Sequence, residues 1–170
     1  MDTDVQMDTD IRTLINILEA IARILTWIVG ESGLIEENLQ ELFAATIDDT
    51  QGRISSVINR LRSIESREDP IFIELSEYGL TGSTLAMKVE VGRAVMSDLT
   101  NSVQQTGAGP TILGFKLKRP LKWINSILKS LAKVFPPLEA VAEYKEHVEL
   151  AVKERESEPA WNNRQIFNLQ

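Results

Sequence analysis

The histidine and cysteine side chains on which nucleophilic and metal chemistry most often rest are nearly absent from this 170-residue chain. His147 is the only histidine and there is no cysteine, which removes thiolate zinc sites, cysteine nucleophiles and disulfides. Glu143 stands one helical turn before His147 and offers it a partner. A metal site needs several ligands, however, and a carboxylate di-iron bundle needs two Glu-x-x-His pairs; neither set is present. His147 therefore reads as a structural or surface histidine. Gly79-Leu80-Thr81-Gly82-Ser83 and Gly107-Ala108-Gly109-Pro110 lack the lysine and the spacing of a phosphate-binding loop and read as turns. Spacing alone nominates no Ser-His-Asp set. The expectation is a protein that is not an enzyme and holds no cofactor or metal.

What remains is the chemistry of binding. Lys116, Lys118, Arg119, Lys122, Lys129 and Lys133 fall in one stretch that contains no acidic residue. A cationic amphipathic helix there would attract anionic lipid or an acidic partner, each cation near an anionic surface adding about 1 kcal/mol. Trp123, in the same run, suits either a bilayer interface or a core. Two plainer readings stand beside this one: a solvated face, and internal pairing with the acidic runs at 36–41 and 139–149. A net charge of −7 argues against a general nucleic-acid binder, which needs a basic face, so no nucleic-acid partner is expected. Near the C-terminus, Asn163, Gln165, Ile166, Phe167 and Leu169 mix amides with apolar side chains, a composition prone to cross-strand stacking. They are the candidates for self-assembly, beside the plainer reading of a frayed terminus.

The element that dominates the chain is the segment 11–29, IRTLINILEAIARILTWIV. Arg12, Asn16, Glu19, Arg23 and Thr26 recur every three or four positions and make one narrow polar stripe. A helix apolar on most sides must be covered on most sides. It is either the central helix of a bundle or a segment that can leave the bundle for lipid. Ile11, Leu14, Ile15, Leu18, Ile21, Ile24, Leu25, Trp27 and Ile28 are the membrane-insertion candidates. As a resident transmembrane helix the segment is poor, because Arg12, Glu19 and Arg23 each cost roughly 2.5–3.5 kcal/mol near a bilayer centre. Arg12 lies near one end and could snorkel; Glu19 and Arg23 could pair one turn apart. The preceding MDTDVQMDTD is acidic, unlike the basic start of a secretion signal. Its near-repeat reads as a second start or a cloning remnant. Asp8 or Asp10 could cap the helix, and Gly30 could stop it.

Further helices follow by the same periodicity. Leu34, Ile35, Leu39, Leu42, Phe43 and Ile47 share one face, and the rhythm resumes at Ile54, Val57, Ile58, Leu61 and Ile64 after Asp48-Asp49-Thr50-Gln51-Gly52. Asp and a single Gly weaken a helix without breaking it, so one continuous or kinked helix is expected. Asp69-Pro70 is a cap followed by a first-turn proline, opening a short helix at 71–78 that Gly79 stops. Ser83 is placed to cap the next helix, which carries Leu85, Val89, Val95, Leu99 and Val103 to about Gln105, before a flexible linker at 106–110. Pro120 suits the first turn of the basic helix, whose apolar face is Leu121, Ile124, Ile127, Leu128, Leu131 and Val134; Pro136-Pro137 ends it. A last helix, 138 to about 154, presents Val141, Ala142, Val148 and Val152, and Pro159 opens a non-helical tail. No strand pattern is convincing. The predicted fold is all-α: an antiparallel bundle of four to five main helices plus a short one over residues 1–157, with a flexible tail at 158–170. A hydrophobic content of 43% and a charged content of 25% are ordinary for such a domain, and the absence of cysteine fits the cytosol.

This layout resembles the cell-death execution domains: the fungal HeLo and HeLo-like domains, the bacterial Bell domains with C-terminal amyloid signalling motifs, and the helical bundle of the necroptosis pseudokinase. The resemblance is architectural and spans the chain, from the apolar helix near the N-terminus through the helical domain to the Asn/Gln-containing tail. NNRQIFNLQ is similar to the start of an amyloid signalling motif, without the Gly that such motifs often contain. The resemblance implies a tail templated by an upstream immune receptor, a bundle that then self-associates, and an N-terminal helix that reaches anionic membrane lipid and permeabilises it. The protein would be a pore-forming or membrane-perturbing effector, cytoplasmic at rest and at the membrane on activation. The alternative is a non-enzymatic adaptor or oligomerisation module working through residues 47–64 or the acidic faces.

Overall fold

A computed structural model describes the backbone of residues 2–104 and 110–169 and the side chains of residues 4–102 and 114–154. Among these the chain is all-helical and contains no strand: α1 (Asp2–Gly30), α2 (Glu37–Arg62), α3 (Pro70–Glu77), α4 (Gly82–Gln104), α5 (Pro110–Val134) and α6 (Leu138–Leu169). Each long helix buries the stripe that its 3.6-residue period supplies. Leu14, Leu18, Ile21 and Ile28 of α1, Leu61 of α2, Leu117, Ile124, Leu128 and Leu131 of α5, and Val141 and Val148 of α6 are fully buried. The pairings α1–α2, α2–α6, α6–α5, α5–α4 and α4–α1 close a ring, with α1 also touching α6 and α3 lying on α5.

Where the determining signal is local, the expected geometry forms. At α3 the Ile71 N–H donates to Asp69 Oδ1 at 2.9 Å, and Pro70 fills the first helical position, where no N–H is needed. At its far end Gly79 turns left-handed, φ +70°. The Leu80 N–H donates back to the Leu75 carbonyl at 2.8 Å and the Gly79 N–H to that of Ser76 at 3.2 Å, which satisfies the last carbonyls of the helix. α2 runs unbroken through Asp48–Gly52, with Arg53 Nε donating to Asp49 Oδ2 at 2.8 Å across one turn.

Six expectations are corrected. α1 begins at Asp2, not near residue 11, and buries Met7 and Asp10; the acidic prefix is therefore structural. Asp10 is inside this helix and does not cap it. Its Oδ1 accepts from Gln6 Nε2 at 2.9 Å and from the Gly82 N–H at 3.1 Å, so it caps α4 from across the fold, in the place assigned to Ser83, which is exposed. Leu34 and Ile35 are buried in the α1–α2 connection, and Leu42 is 66% exposed: with Phe43 facing in, its neighbour about 100° round the helix faces out. α5 starts at Pro110, so Pro120 lies mid-helix, buried, and leaves one carbonyl without its usual donor. α6 continues to Leu169 through Pro159 and does not end near Glu154; the residues after Pro159 include neither Gly nor Pro, so nothing local stops the helix once the proline is accommodated. The linker at 106–109 lies outside the described residues.

Candidate lipid-facing surface and the seams of the first helix

α5 buries Leu117, Leu121, Ile124, Ile127, Leu128, Leu131 and Val134. That burial turns its opposite side outward and carries the cations with it. Lys118, Arg119, Lys122, Lys129 and Lys133 are exposed, over a rise of about 22 Å from Lys118 to Lys133. Lys116 is the one that pairs, with Asp98 of α4 at 3.6 Å, and not with the acidic runs at 36–41 or 139–149. Arg119, Lys122 and Lys129 make no ion pair among the described residues. Lys118 Nζ stands 5.2 Å from the Phe115 ring centroid and Lys133 Nζ 5.3 Å from that of Tyr78. Both rings are exposed, Phe115 to 64%, so the cationic surface carries aromatic groups at each end. Trp123 is not part of it. Its indole N–H donates to the Lys88 carbonyl of α4 at 2.9 Å, and its ring lies where a Cβ on Gly92 would come within 2.4 Å of Cζ2.

The insertion candidates of α1 divide in two. Leu14, Leu18, Ile21, Leu25 and Ile28 are at most 2% exposed and Ile11 is 8% exposed. Full burial of a Leu or Ile is worth about 1.5–3 kcal/mol, so those five core positions alone hold α1 in the fold by about 7–15 kcal/mol. Ile15, Ile24 and Trp27 are half-buried and line grooves beside the polar stripe. Arg12, Asn16 and Arg23 of that stripe are exposed, and Glu19 and Arg23 form no ion pair among the described residues. α1 is thus a wall of the ring and not its central staff. Among the described residues, Asp4–Gly30 is the one helix long and apolar enough to cross a membrane, with a mean hydropathy of 1.5; a buried core helix passes the same test.

Two groups escaped the sequence reading. Lys145 is buried, with its Nζ 3.0 Å from Glu149 Oε2; the signal was its place one turn after Val141 on the apolar face. Tyr144 packs edge-on against Phe43, ring centroids 5.8 Å apart. Its buried hydroxyl has no hydrogen-bond partner among the described residues, and burial pushes its pKa up to about 12. Asp69 moves the other way. The Ile71 N–H is the main influence holding its carboxyl below the usual carboxylate range; desolvation opposes it and Arg60, at 3.1 Å, reinforces it. His147 and Glu143 are both exposed, and among the described residues no group of three or more acidic or histidine side chains could hold a metal. Asn163, Gln165, Ile166, Phe167 and Leu169 lie on the α6 backbone, with their side chains outside the described set. Compared with family models, curated proteins and solved structures, the chain matches none.

Proposed function

We propose that this protein is a non-enzymatic, membrane-targeting effector of a cell-death or defence pathway, cytoplasmic at rest. On this reading α5 docks on anionic lipid and α1 then leaves the fold to perturb the bilayer. The observation that carries the reading is the stripe of five exposed cations on α5, flanked by exposed Phe115 and Tyr78, on a chain whose net charge is −7. At about 1 kcal/mol per cation the stripe supplies about 5 kcal/mol of attraction, enough for salt-sensitive docking. Insertion of α1 is a separate and dearer step, since Arg12, Glu19 and Arg23 together cost roughly 7–10 kcal/mol at a bilayer centre. Copies of the chain that satisfy one another's polar stripes would lower that cost, so perturbation should depend steeply on protein concentration. The helical tail residues 163–169 are the proposed contact for self-association or an upstream receptor.

We read the ring of long helices as an antiparallel bundle. Support comes from Gln51 of α2 reaching Thr26 of α1 at 3.4 Å while Leu61 shares a groove with Ile15, and from Lys116 meeting Asp98 while Trp123 meets Lys88. A second reading, a helical adaptor with no membrane role, is favoured by the depth at which Leu14, Leu18, Ile21 and Ile28 sit.

Vesicle flotation decides between them. The chain should float with phosphatidylglycerol vesicles at low salt, detach as salt screens the stripe, and fail to float when Lys118, Arg119, Lys122 and Lys129 are all changed to Gln. Leakage of those vesicles should follow flotation. A chain indifferent to anionic vesicles at every salt concentration is the adaptor.

A further inference from the structure

The seam between α1 and α4 holds an open apolar groove. Its larger part, about 400 Å³, is lined by Ala20, Ile24 and Trp27 of α1 and by Met96 and Leu99 of α4. A recess of about 250 Å³ adjoins it, shares Ala20 and Met96, and is bordered by Gly92 and Trp123. Together the two follow α1 from Thr13 to Trp27, about 21 Å at 1.5 Å per residue, which is room for an extended long acyl chain. The larger part alone, and the two together, fall in the range of small-molecule sites.

Charge selects the occupant. No acidic side chain among the described residues lines either part, although the sequence has 25 Asp and Glu against 18 Lys and Arg. The charged groups at the rim are Arg23 and Arg93. Arg93 faces Glu90 at 3.9 Å, whereas Arg23 has no ion pair among the described residues. The geometry points to a binding site for one long-chain fatty acid, its chain laid along the α1–α4 groove and its carboxylate on Arg23. The site does not depend on the membrane reading. A fatty acid there would fill the sparsest flank of α1 and tie that helix to α4.

Trp27 and Trp123 border the two parts and report on occupancy. Titrating the full chain with palmitate, below the concentration at which palmitate forms micelles, should give a saturable change in tryptophan emission and a rise in Tm that grows with ligand concentration. Arg23→Gln should weaken palmitate binding about two- to five-fold, as expected for one exposed charge pair, while leaving binding of uncharged hexadecanol unchanged. It should also leave flotation with phosphatidylglycerol vesicles unchanged, which separates the groove from the α5 stripe. Ala20→Trp, at the junction of the two parts, should abolish binding. Thr100→Trp, at the exposed rim, should do the same without touching the core, and decides the matter if Ala20→Trp fails to fold. Three results each overturn the assignment: no saturable binding, binding untouched by Thr100→Trp, or an equal loss of palmitate and hexadecanol in Arg23→Gln. A Thr100→Trp chain that changes its sedimentation mass, with no palmitate effect in the parent, would instead make the groove the seat of a second copy.

Discussion

Tyr144 combines a favourable ring with an unfavourable hydroxyl. The edge contact with Phe43 is worth about 0.5–1.5 kcal/mol beyond burial, and a phenylalanine would keep it. The hydroxyl, buried without a partner among the described residues, carries a desolvation penalty of about 1–3 kcal/mol. Tyr144→Phe should therefore be neutral or stabilising by up to about 1 kcal/mol in urea denaturation, after the lost packing of one oxygen is allowed for. The same group sets an alkaline limit. Its pKa is 10.0 in the unfolded reference and about 12 in the fold, so between those values the unfolded chain releases a proton that the folded chain keeps. Stability is intact below pH 10 and falls as pH rises through that window, by about 1.4 kcal/mol per pH unit within it. The stability–pH curve of Tyr144→Phe should be flatter there. A variant that tracks the parent from pH 10 to 12 would show that the hydroxyl finds an acceptor.

At the scale of elements, two of the contacts that join α4 to its neighbours were not legible in advance. Gly92 is the position where the indole of Trp123 reaches the Lys88 carbonyl, the acceptor that a regular helix also assigns to the Gly92 N–H. A side chain at 92 would meet the ring, so Gly92→Ala should cost about 1–3 kcal/mol by overpacking, recovered in part by Trp123→Phe; thermal melts of the single and double variants check this. Asp10 is the second contact. It accepts from the first N–H of α4 on a flank where α1 and α4 otherwise touch sparsely. Asp10→Ala should cost about 0.5–2 kcal/mol, the usual worth of a cap, while Asp10→Asn keeps most of it. If α1 departs on activation, Asp10→Ala should also raise vesicle leakage at unchanged flotation. The contrast with α3 explains what sequence reading reached. The Asp69-Pro70 start and the Gly79 stop act over a few residues, so their chemistry is written where they stand. Asp10 and Gly82 are 72 residues apart, and spacing along the chain carries no information about a cap delivered from another helix. Leu42 and Lys145 mislead for a related reason: hydrophobic period selects a stripe, and packing against α6 or α5 decides which residue at its margin turns inward.

At the scale of the whole molecule, the proposed function assigns docking and insertion to different helices, and that separation can be tested directly. The stripe of exposed cations lies on α5, while the apolar helix proposed to insert is α1, packed on α2, α6 and α4. Tying α1 to α2 should leave the α5 stripe untouched. The chain has no cysteine, so an introduced pair would be unique. Thr26 Oγ1 and Gln51 Nε2 are 3.4 Å apart across the α1–α2 seam, and both side chains reach solvent. Thr26→Cys with Gln51→Cys, bridged by a short bifunctional thiol reagent, would hold the two helices together at the cost of one long side-chain contact. The bridged chain should float with anionic vesicles like the parent but release none of their contents, and a reducible bridge should restore release on reduction. Constraining α1 against α2 also limits the unfolded ensemble, so the bridged chain should melt at a higher temperature, which shows that the bridge has formed without distorting the fold. Release that continues with the bridge in place would mean that the bilayer is disturbed by the docked surface alone, and α1 would then be a core helix with no second role.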